Sequence, residues 1–200
     1  MKRCAGHWRV VLSALLLTAF LGACGNKVPQ FNATDITGAD YGSALSLPDA
    51  NGKTRTMSDF SGKVVAVFFG FTQCPDACPT SLSLMADMTQ KLGEDGKRLQ
   101  TIFISVDPER DTAQLVGQYA SAFNPTFIAL RGTPEQTKVV AKAFNVYFEK
   151  RGDVASGKYT MDHTAGIYVF DPKGRTRLFV RYGEEPAKLL ADLKLLLASN

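Results

Sequence analysis

KVVAVFFGFTQCPDACPTS, residues 63–81, is the stretch that decides the fold. Lys63 to Phe69 is almost continuously apolar and β-branched, which is typical of a strand covered on both faces. Cys74 and Cys78 follow, and a helical pattern begins at Pro79, a residue that suits the first position of a helix. Thiols at such a turn can be reactive, because the positive end of the helix favours a thiolate.

The segments around this stretch predict an α/β fold. A second buried strand at 100–106 completes a right-handed strand–helix–strand unit with the first strand. The polar, glycine-rich residues 151–158 are predicted to form a loop. The remaining predicted elements are a hairpin around 51–52, an α–β–α segment over about 111–144, a hairpin over 167–182 and a helix at 186–198. This order matches a thioredoxin-like fold with an N-terminal β-hairpin and an inserted α–β–α segment.

The N-terminus has the features of a bacterial lipoprotein signal. It carries the basic residues Lys2, Arg3 and Arg9, followed by the apolar run 10–21, which is short for a membrane span. The run ends in Leu21-Gly22-Ala23-Cys24, which resembles a lipobox, where cleavage precedes a cysteine that carries lipid. An uncleaved N-terminal anchor and an ordinary secretory signal are the alternatives.

Three regions follow from this interpretation: a lipoprotein signal peptide at 1–23, a lipid anchor and flexible tether at 24–40, and one domain at 41–200. We expect the protein on the periplasmic side of the bacterial cell envelope, anchored by lipid, with the inner and the outer membrane both left open. Removal of 1–23 takes away three positive charges and no negative ones, so the formal net charge falls from +4 to +1. Nothing in this charge favours a nucleic-acid partner.

Processing leaves one pair of free thiols. Of the four cysteines and two histidines, one of each leaves with the signal peptide, and Cys24 carries lipid. Cys74 and Cys78 remain, with His163 as the one histidine of the mature chain. In an oxidising compartment, two cysteines this close form a disulfide by default.

A purely structural disulfide is the plainest interpretation of the pair. A bridge that closes a loop of only about five residues constrains the unfolded chain little, so stability is a weak reason for it. The spacing of Cys74 and Cys78 is also one residue longer than in a thioredoxin dithiol, which disfavours a general oxidoreductase. Redox exchange and metal binding both stay open on these residues.

His163 adds a third ligand to the two thiols. It precedes the predicted strand at Ile167, in a loop that faces the dithiol in a thioredoxin-like fold. Two thiolates and an imidazole suit copper, because soft sulfur donors select Cu(I) and imidazole also suits Cu(II). Zinc in a closed site would need a fourth ligand, which a water or a carboxylate could supply.

Several neighbouring residues are candidates for supporting roles. Asp107, Asp111 and Asp162 are candidates for holding the ligands in place or for docking a partner. Turn or cap chemistry is the simpler interpretation of the first two, and of Asp111 above all. Met161 would share a face with His163 in an extended segment, where we expect it to pack rather than to bind metal.

Three motifs, in this order, resemble the Sco/SenC family of copper-binding proteins needed to assemble cytochrome c oxidase. They are FGFTQCPDACP at 69–79, ISVDPERD at 104–111, and DHT at 162–164 followed by IYVFDPKG at 167–174. The resemblance implies a thioredoxin-like fold that binds Cu(I) and Cu(II) through Cys74, Cys78 and His163. It also implies a role in copper delivery to, or thiol reduction of, the binuclear copper site of oxidase subunit II.

Three functions compete at this point. The leading hypothesis is a metallochaperone, whose copper loading depends on the redox state of the dithiol. The second is a thiol–disulfide reductase, with Cys74 as the attacking and Cys78 as the resolving thiol. In either case another copper chaperone or a thiol–disulfide reductase is an expected partner. A peroxidase ranks last, since no arginine occurs in the cysteine motif.

Overall fold

The computed structural model describes residues 30–199. The predicted signal peptide, the lipobox cysteine Cys24 and the first part of the tether lie outside this range. From Phe31 onward the chain forms one compact unit. Within the described range, no helix has the length and apolar character needed to cross a membrane.

Residues 30–199 contain ten strands and four α-helices. The strands are β1 (Thr34–Asp35), β2 (Leu47–Pro48), β3 (Thr54–Arg55), β4 (Val64–Gly70), β5 (Leu99–Ser105), β6 (Ile128–Leu130), β7 (Phe148–Asp153), β8 (Lys158–His163), β9 (Gly166–Phe170) and β10 (Thr176–Arg181). The α-helices are α1 (Ala77–Lys91), α2 (Ala113–Phe123), α3 (Pro134–Ala143) and α4 (Pro186–Ala198). Short 3-10 helices occupy Met57–Phe60 and Gly93–Arg98.

Six strands form the main sheet, in the order β1-β10-β9-β4-β5-β6. β4, β5 and β6 run parallel, whereas β9 is antiparallel to both β4 and β10. Helix α1 connects β4 to β5, α2–β6–α3 is the inserted segment, and β2–β3 is the N-terminal hairpin. The predicted α/β fold of the thioredoxin-like type is confirmed.

The centre of the core lies around β4 and β5. All seven residues of each of these strands are buried, as the continuous apolar pattern of β4 predicts for a strand covered on both faces. Phe68, Phe69 and Phe103 are among the largest fully buried side chains. Burying a side chain of this kind contributes about 1.5–3 kcal/mol to the free energy of folding, so these two strands are a stable support for the loops that follow them.

The strand register brings three loops together at the carboxyl end of β4. Phe68 pairs with Ile167 across the antiparallel β4–β9 ladder, so the chain just before β9 lies beside the turn that follows β4. Gly70 pairs with Ser105, and the Val106 N–H donates to the Gly70 carbonyl at 2.8 Å. The cysteine motif, the 105–112 loop and the segment before β9 therefore meet at one edge of the sheet.

Only the middle of the predicted loop 151–158 is a turn, at 154–157, whereas 151–153 and residue 158 belong to the strands of a hairpin, so the prediction is wrong at both ends. β7 and β8 pair antiparallel with each other, from Phe148 opposite His163 to Asp153 opposite Lys158. All six residues of β7 are exposed or half-buried, and Phe148 is the one apolar residue among them, so the segment lacks the apolar alternation that predicts a strand. Backbone pairing forms this hairpin without a clear hydrophobic pattern.

The folded domain begins earlier than the predicted boundary at residue 41. β1 pairs with β10, and Ala33 is buried. The Asp192 carboxylate of α4 accepts hydrogen bonds from the N–H groups of Asn32 and Ala33 at 2.8–3.0 Å. A strand of two residues shows no periodicity, so the sequence pattern could not reveal it.

Candidate metal centre

The two cysteines lie on either side of the start of α1. The helix begins at Ala77 with Asp76 at its cap, so the predicted start at Pro79, which would place Cys78 at the cap, is wrong. Pro79 fits as the third helical residue, because the N–H groups of the first turn have no partner within the helix. Cys78 is fully buried, whereas Cys74 is half-buried in the preceding loop.

A first-turn N–H group of the helix points at the sulfur of Cys74. The Cys78 N–H donates to Cys74 Sγ at 3.4 Å. The Cys74 N–H in turn donates to the Phe71 carbonyl at 3.2 Å, which closes the loop. The positive end of α1 therefore faces the more accessible of the two sulfurs.

His163 is the last residue of β8, whereas the sequence predicts a loop there. Its Nδ1 lies 3.2 Å from the Thr164 carbonyl, which can only accept, so Nδ1 carries the proton. Nε2 is left with its lone pair and lies 3.9 Å from Cys78 Sγ. The rings of Phe68 and Phe71 meet the imidazole edge to face, at centroid distances of 6.1 and 6.0 Å. The ring is thus held in the tautomer and orientation of a metal ligand.

The structure brings the three predicted ligands together. One ligand atom from each of Cys74, Cys78 and His163 lies within 4.8 Å of the other two. Within residues 30–199 this is the one such group of three or more cysteine, histidine or acidic side chains. Both thiols are free, so the disulfide between them stays a prediction for the oxidised protein.

Burial keeps the inner part of the site uncharged. Burial, reinforced by the contact with Cys74, raises the pKa of the Cys78 thiol far above its usual range. Burial also lowers the pKa of His163, although the bond to the Thr164 carbonyl acts in the opposite direction. The imidazole is therefore ready to bind a metal at neutral pH, whereas the metal must displace the proton of Cys78.

Gly70 leaves the space that the buried sulfur occupies. A Cβ atom at this position would lie 2.6 Å from Cys78 Sγ and 2.9 Å from the Phe103 ring. Both distances are shorter than real Cβ contacts, so any larger residue at the last position of β4 would displace the sulfur or the ring. This role of Gly70 does not follow from the local sequence, because Cys78 Sγ and Phe103 approach it only in the folded chain.

Asp111 holds the loop that carries the cysteines. Its buried carboxylate accepts from the Thr72 N–H at 3.2 Å and from the Thr72 hydroxyl at 2.5 Å. It also accepts from the Ser105 hydroxyl at 2.6 Å, which ties the loop to the end of β5. The helix cap is Thr112, so Asp111 supports the ligand loop rather than capping α2.

Asp107 links the 105–112 loop to β8. Its buried carboxylate pairs with Arg110 at 2.5 Å and accepts from the Tyr159 hydroxyl at 3.0 Å. Arg110 was not singled out from the sequence, although it lies in the DPERD motif. Asp162 lies apart from the ligands, because it is exposed and pairs with Arg151 at 2.9 Å on the hairpin surface.

Met161 packs in the core, as expected. Its side chain is 6 % exposed and belongs to the same hydrophobic cluster as Cys78.

A comparison with known proteins identifies the family. The SCO1/SenC family model matches residues 33–198, nearly the whole described chain. This chain belongs to the SCO1/SenC family. The mitochondrial protein SCO2 of Saccharomyces cerevisiae is 35% identical over 180 residues, which cover 84% of this chain and 60% of the relative. The chain thus spans less than two thirds of that SCO1/SenC relative's length.

Solved structures of SCO1/SenC proteins have the same fold. Bradyrhizobium japonicum ScoI, solved with copper bound, is 41% identical with a TM-score of 0.69, over 76% of this chain and 97% of that one. The apo Sco1 protein of Thermus thermophilus is 37% identical with a TM-score of 0.72, over 86% and 99% of the two chains. The family resemblance seen in the sequence motifs is confirmed.

Proposed function

We propose that this protein is a copper metallochaperone that binds Cu(I) and Cu(II) through Cys74, Cys78 and His163. The observation that carries the proposal is the convergence of two sulfurs and an imidazole nitrogen within 4.8 Å. The copper-bound state of the Bradyrhizobium relative supports the choice of metal. Copper is cargo here, to be taken up and passed on.

The donor set favours copper over zinc. Two thiolates suit Cu(I), and a neutral imidazole suits Cu(II), so one site can serve both oxidation states. A structural zinc site has four protein ligands, whereas the group found among residues 30–199 has three. A three-ligand site leaves a position through which a partner's ligand can take the metal.

We further propose that the acceptor is the binuclear copper centre of cytochrome c oxidase subunit II. The half-buried Cys74 supports such a transfer, since an incoming ligand reaches its sulfur before the buried Cys78. Lipidation at Cys24, on the periplasmic side of the bacterial envelope, would keep the protein beside membrane-bound targets. Supply of copper by another copper chaperone and reduction by a thiol–disulfide reductase complete the proposed cycle.

Thiol–disulfide reduction of the same copper-site cysteines is a second candidate function. The unequal exposure of the thiols favours this function, because the more accessible Cys74 can attack a partner disulfide and the buried Cys78 can then act as the resolving thiol. The attack forms a mixed disulfide and releases one partner thiol. Cys78 then displaces the second partner thiol, so two electrons pass to the partner and the Cys74–Cys78 disulfide forms.

Copper titration of the reduced full chain tests the proposal. Cys4 and Cys24 are replaced by serine so that the leader cysteines bind no metal, and His163→Ala, Cys74→Ser and Cys78→Ser are compared with Met161→Leu as the matched control. We expect His163→Ala to weaken Cu(II) binding strongly, each serine variant to weaken Cu(I) binding, and Met161→Leu to change neither. Unchanged Cu(II) binding in His163→Ala, together with fast reduction of a partner disulfide, would favour the reductase instead.

A further inference from the structure

The strand that carries His163 is anchored to the main sheet at one end only. β9 begins at Gly166, three residues after the histidine, and fixes the chain on that side. On the other side, β7 and β8 pair with each other and with no other strand in the described part of the chain. The distance between His163 and the cysteines therefore depends on the side-chain contacts that hold this hairpin against the rest of the domain.

Met161 of the hairpin is buried, but the packing beside it is interrupted. A cavity of about 290 Å³ lies between the hairpin, the 106–109 loop and the start of α3, and Met161 and Phe148 line it. Polar contacts that bridge the hairpin and the 105–112 loop therefore have a larger share in fixing its position. Lys150 of β7 pairs with Glu109 of the loop at 2.6 Å. Arg110 is the residue that links the hairpin to the cysteine loop as well.

Arg110 joins three segments of the metal centre. Its Nε donates to the Asp107 carboxylate at 2.5 Å, and Nη1 donates to the Tyr159 carbonyl at 2.7 Å and to the Gln73 side-chain oxygen at 3.1 Å. Gln73 precedes Cys74, and Tyr159 lies on the strand of His163. A single guanidinium thus touches the cysteine loop, the 105–112 loop and the histidine strand.

Tyr159 contacts both Arg110 and Asp107. Its ring lies 3.7 Å from the guanidinium carbon of Arg110, and its hydroxyl donates to Asp107 at 3.0 Å. The same guanidinium lies 5.9 Å from the Phe71 ring, which also packs against the imidazole of His163. Stacking and a planar fork of donors are properties of arginine that lysine lacks.

We propose that Arg110 is a positioning residue for the metal centre, which holds β8 against the cysteine loop so that His163 stays within reach of both sulfurs. The inference rests on the proposed copper-binding function. It predicts unequal effects on the two oxidation states. Cu(II) depends on the imidazole, whereas Cu(I) is held mainly by the thiolates, whose loop keeps its bonds to Asp111.

Arg110→Lys is the test variant, and Arg131→Lys is its matched control. Lysine keeps a positive charge beside Asp107, so no buried carboxylate is left unpaired. Arg131 donates to the carbonyls of Asp111 and Pro108 in the same loop, at 3.1 and 2.6 Å, without joining the hairpin. Should Arg110→Lys fail to fold, the double variant Arg110→Ala with Asp107→Asn removes both charges of the pair instead.

The experiment compares the full chains by Cu(II) and Cu(I) competition titration, Cu(II) electron paramagnetic resonance, and hydrogen exchange of β8 without copper. Loss of a group that orients a metal ligand typically weakens metal binding by about 10–100-fold, so we expect at least a tenfold loss for Cu(II) in Arg110→Lys. We also expect an altered Cu(II) spectrum, a much smaller loss for Cu(I), and faster exchange of β8 amides. Arg131→Lys should behave like the wild type.

Two results would overturn the proposal. One is wild-type Cu(II) affinity and β8 exchange in Arg110→Lys, and the other is an equal loss of Cu(II) and Cu(I) with a lowered melting temperature. A failure of the proposed function looks different, because the wild type and His163→Ala would then bind Cu(II) alike. If His163→Ala loses Cu(II) and Arg110→Lys does not, the copper site stands and the role of Arg110 is rejected.

Discussion

Replacing Gly70 by alanine should displace a ligand of the metal centre, the buried sulfur of Cys78. The added Cβ atom would lie 2.6 Å from Cys78 Sγ and 2.9 Å from the Phe103 ring. Nonbonded contacts are ordinarily about 3.5–4.0 Å long, so the sulfur has to move by about 1 Å. The Phe103 ring blocks movement of the sulfur in one direction, and because Cys78 is fully buried, neighbouring atoms restrict its movement in most of the others.

A shift of this size affects stability and metal binding together. Overpacking of a core costs about 1–3 kcal/mol. For a domain of this size each kcal/mol lowers the melting temperature by about 2–4 °C, which predicts a decrease of about 2–12 °C. Metal–ligand distances lie within about 0.2 Å of their standard values, so displacing Cys78 Sγ by several times that distance should also weaken Cu(I) and Cu(II) binding.

Gly132→Ala is the matched control for this overpacking. A Cβ atom at Gly132 would lie 2.7 Å from Leu47 Cδ2 and 2.9 Å from Gln136 Cβ, distances close to those at Gly70. We expect both variants to lose stability, measured by calorimetry, and only Gly70→Ala to lose copper affinity, measured by competition titration. Equal copper affinity in Gly70→Ala and Gly132→Ala would refute the argument that this glycine makes room for the ligand.

Three further predictions concern the groups around the site. Asp111→Asn places an amide N–H₂ where Thr72 needs an acceptor, so it should lower the free energy of unfolding, measured by thermal unfolding, by about 1–3 kcal/mol. The control Asp162→Asn changes an exposed carboxylate and should lower it by at most about 1 kcal/mol. The pKa of His163 is lowered by burial, so below its ordinary value of about 6.5 the unfolded chain binds a proton that the folded chain resists. The copper-free protein should therefore lose stability as the pH falls below that value, by more than His163→Asn does. The pKa of Cys78 is raised by burial, so above about pH 9 the unfolded chain releases a proton that the folded chain keeps, and the reduced wild type should lose more stability there than Cys78→Ser.

Each of these predictions has a contradicting outcome. A wild-type melting temperature in Asp111→Asn would mean that its carboxylate does not hold the cysteine loop. Parallel acid profiles for wild type and His163→Asn would contradict the burial of the imidazole. Parallel alkaline profiles for wild type and Cys78→Ser would contradict the burial of the thiol.

The sheet and the ligand set could be predicted because their patterns are strong. β4 is a continuous apolar run and β5 has an apolar centre, Ile102 to Ile104, so both patterns predict buried strands, and their connection through α1 follows from chain order. The three ligands could be named because few cysteines and histidines occur in the chain. The register of β4 and β9 then places His163 beside the cysteine loop.

The remaining features depend on contacts that no local pattern reveals. The start of α1 at Ala77 was missed because a proline is tolerated in the first turn beyond its first position. The β7–β8 hairpin was missed because β7 has little apolar alternation. Arg110 joins residues 37 and 49 positions away, so its role follows only from the folded chain.

X-ray absorption of the copper-loaded full chain tests the central claim most directly. The account predicts two sulfur ligands and one imidazole nitrogen at the copper. It further predicts that the imidazole is lost in His163→Ala and the sulfurs in the double variant Cys74→Ser with Cys78→Ser. A copper shell of oxygen and nitrogen without sulfur, or a spectrum that these variants leave unchanged, would contradict it.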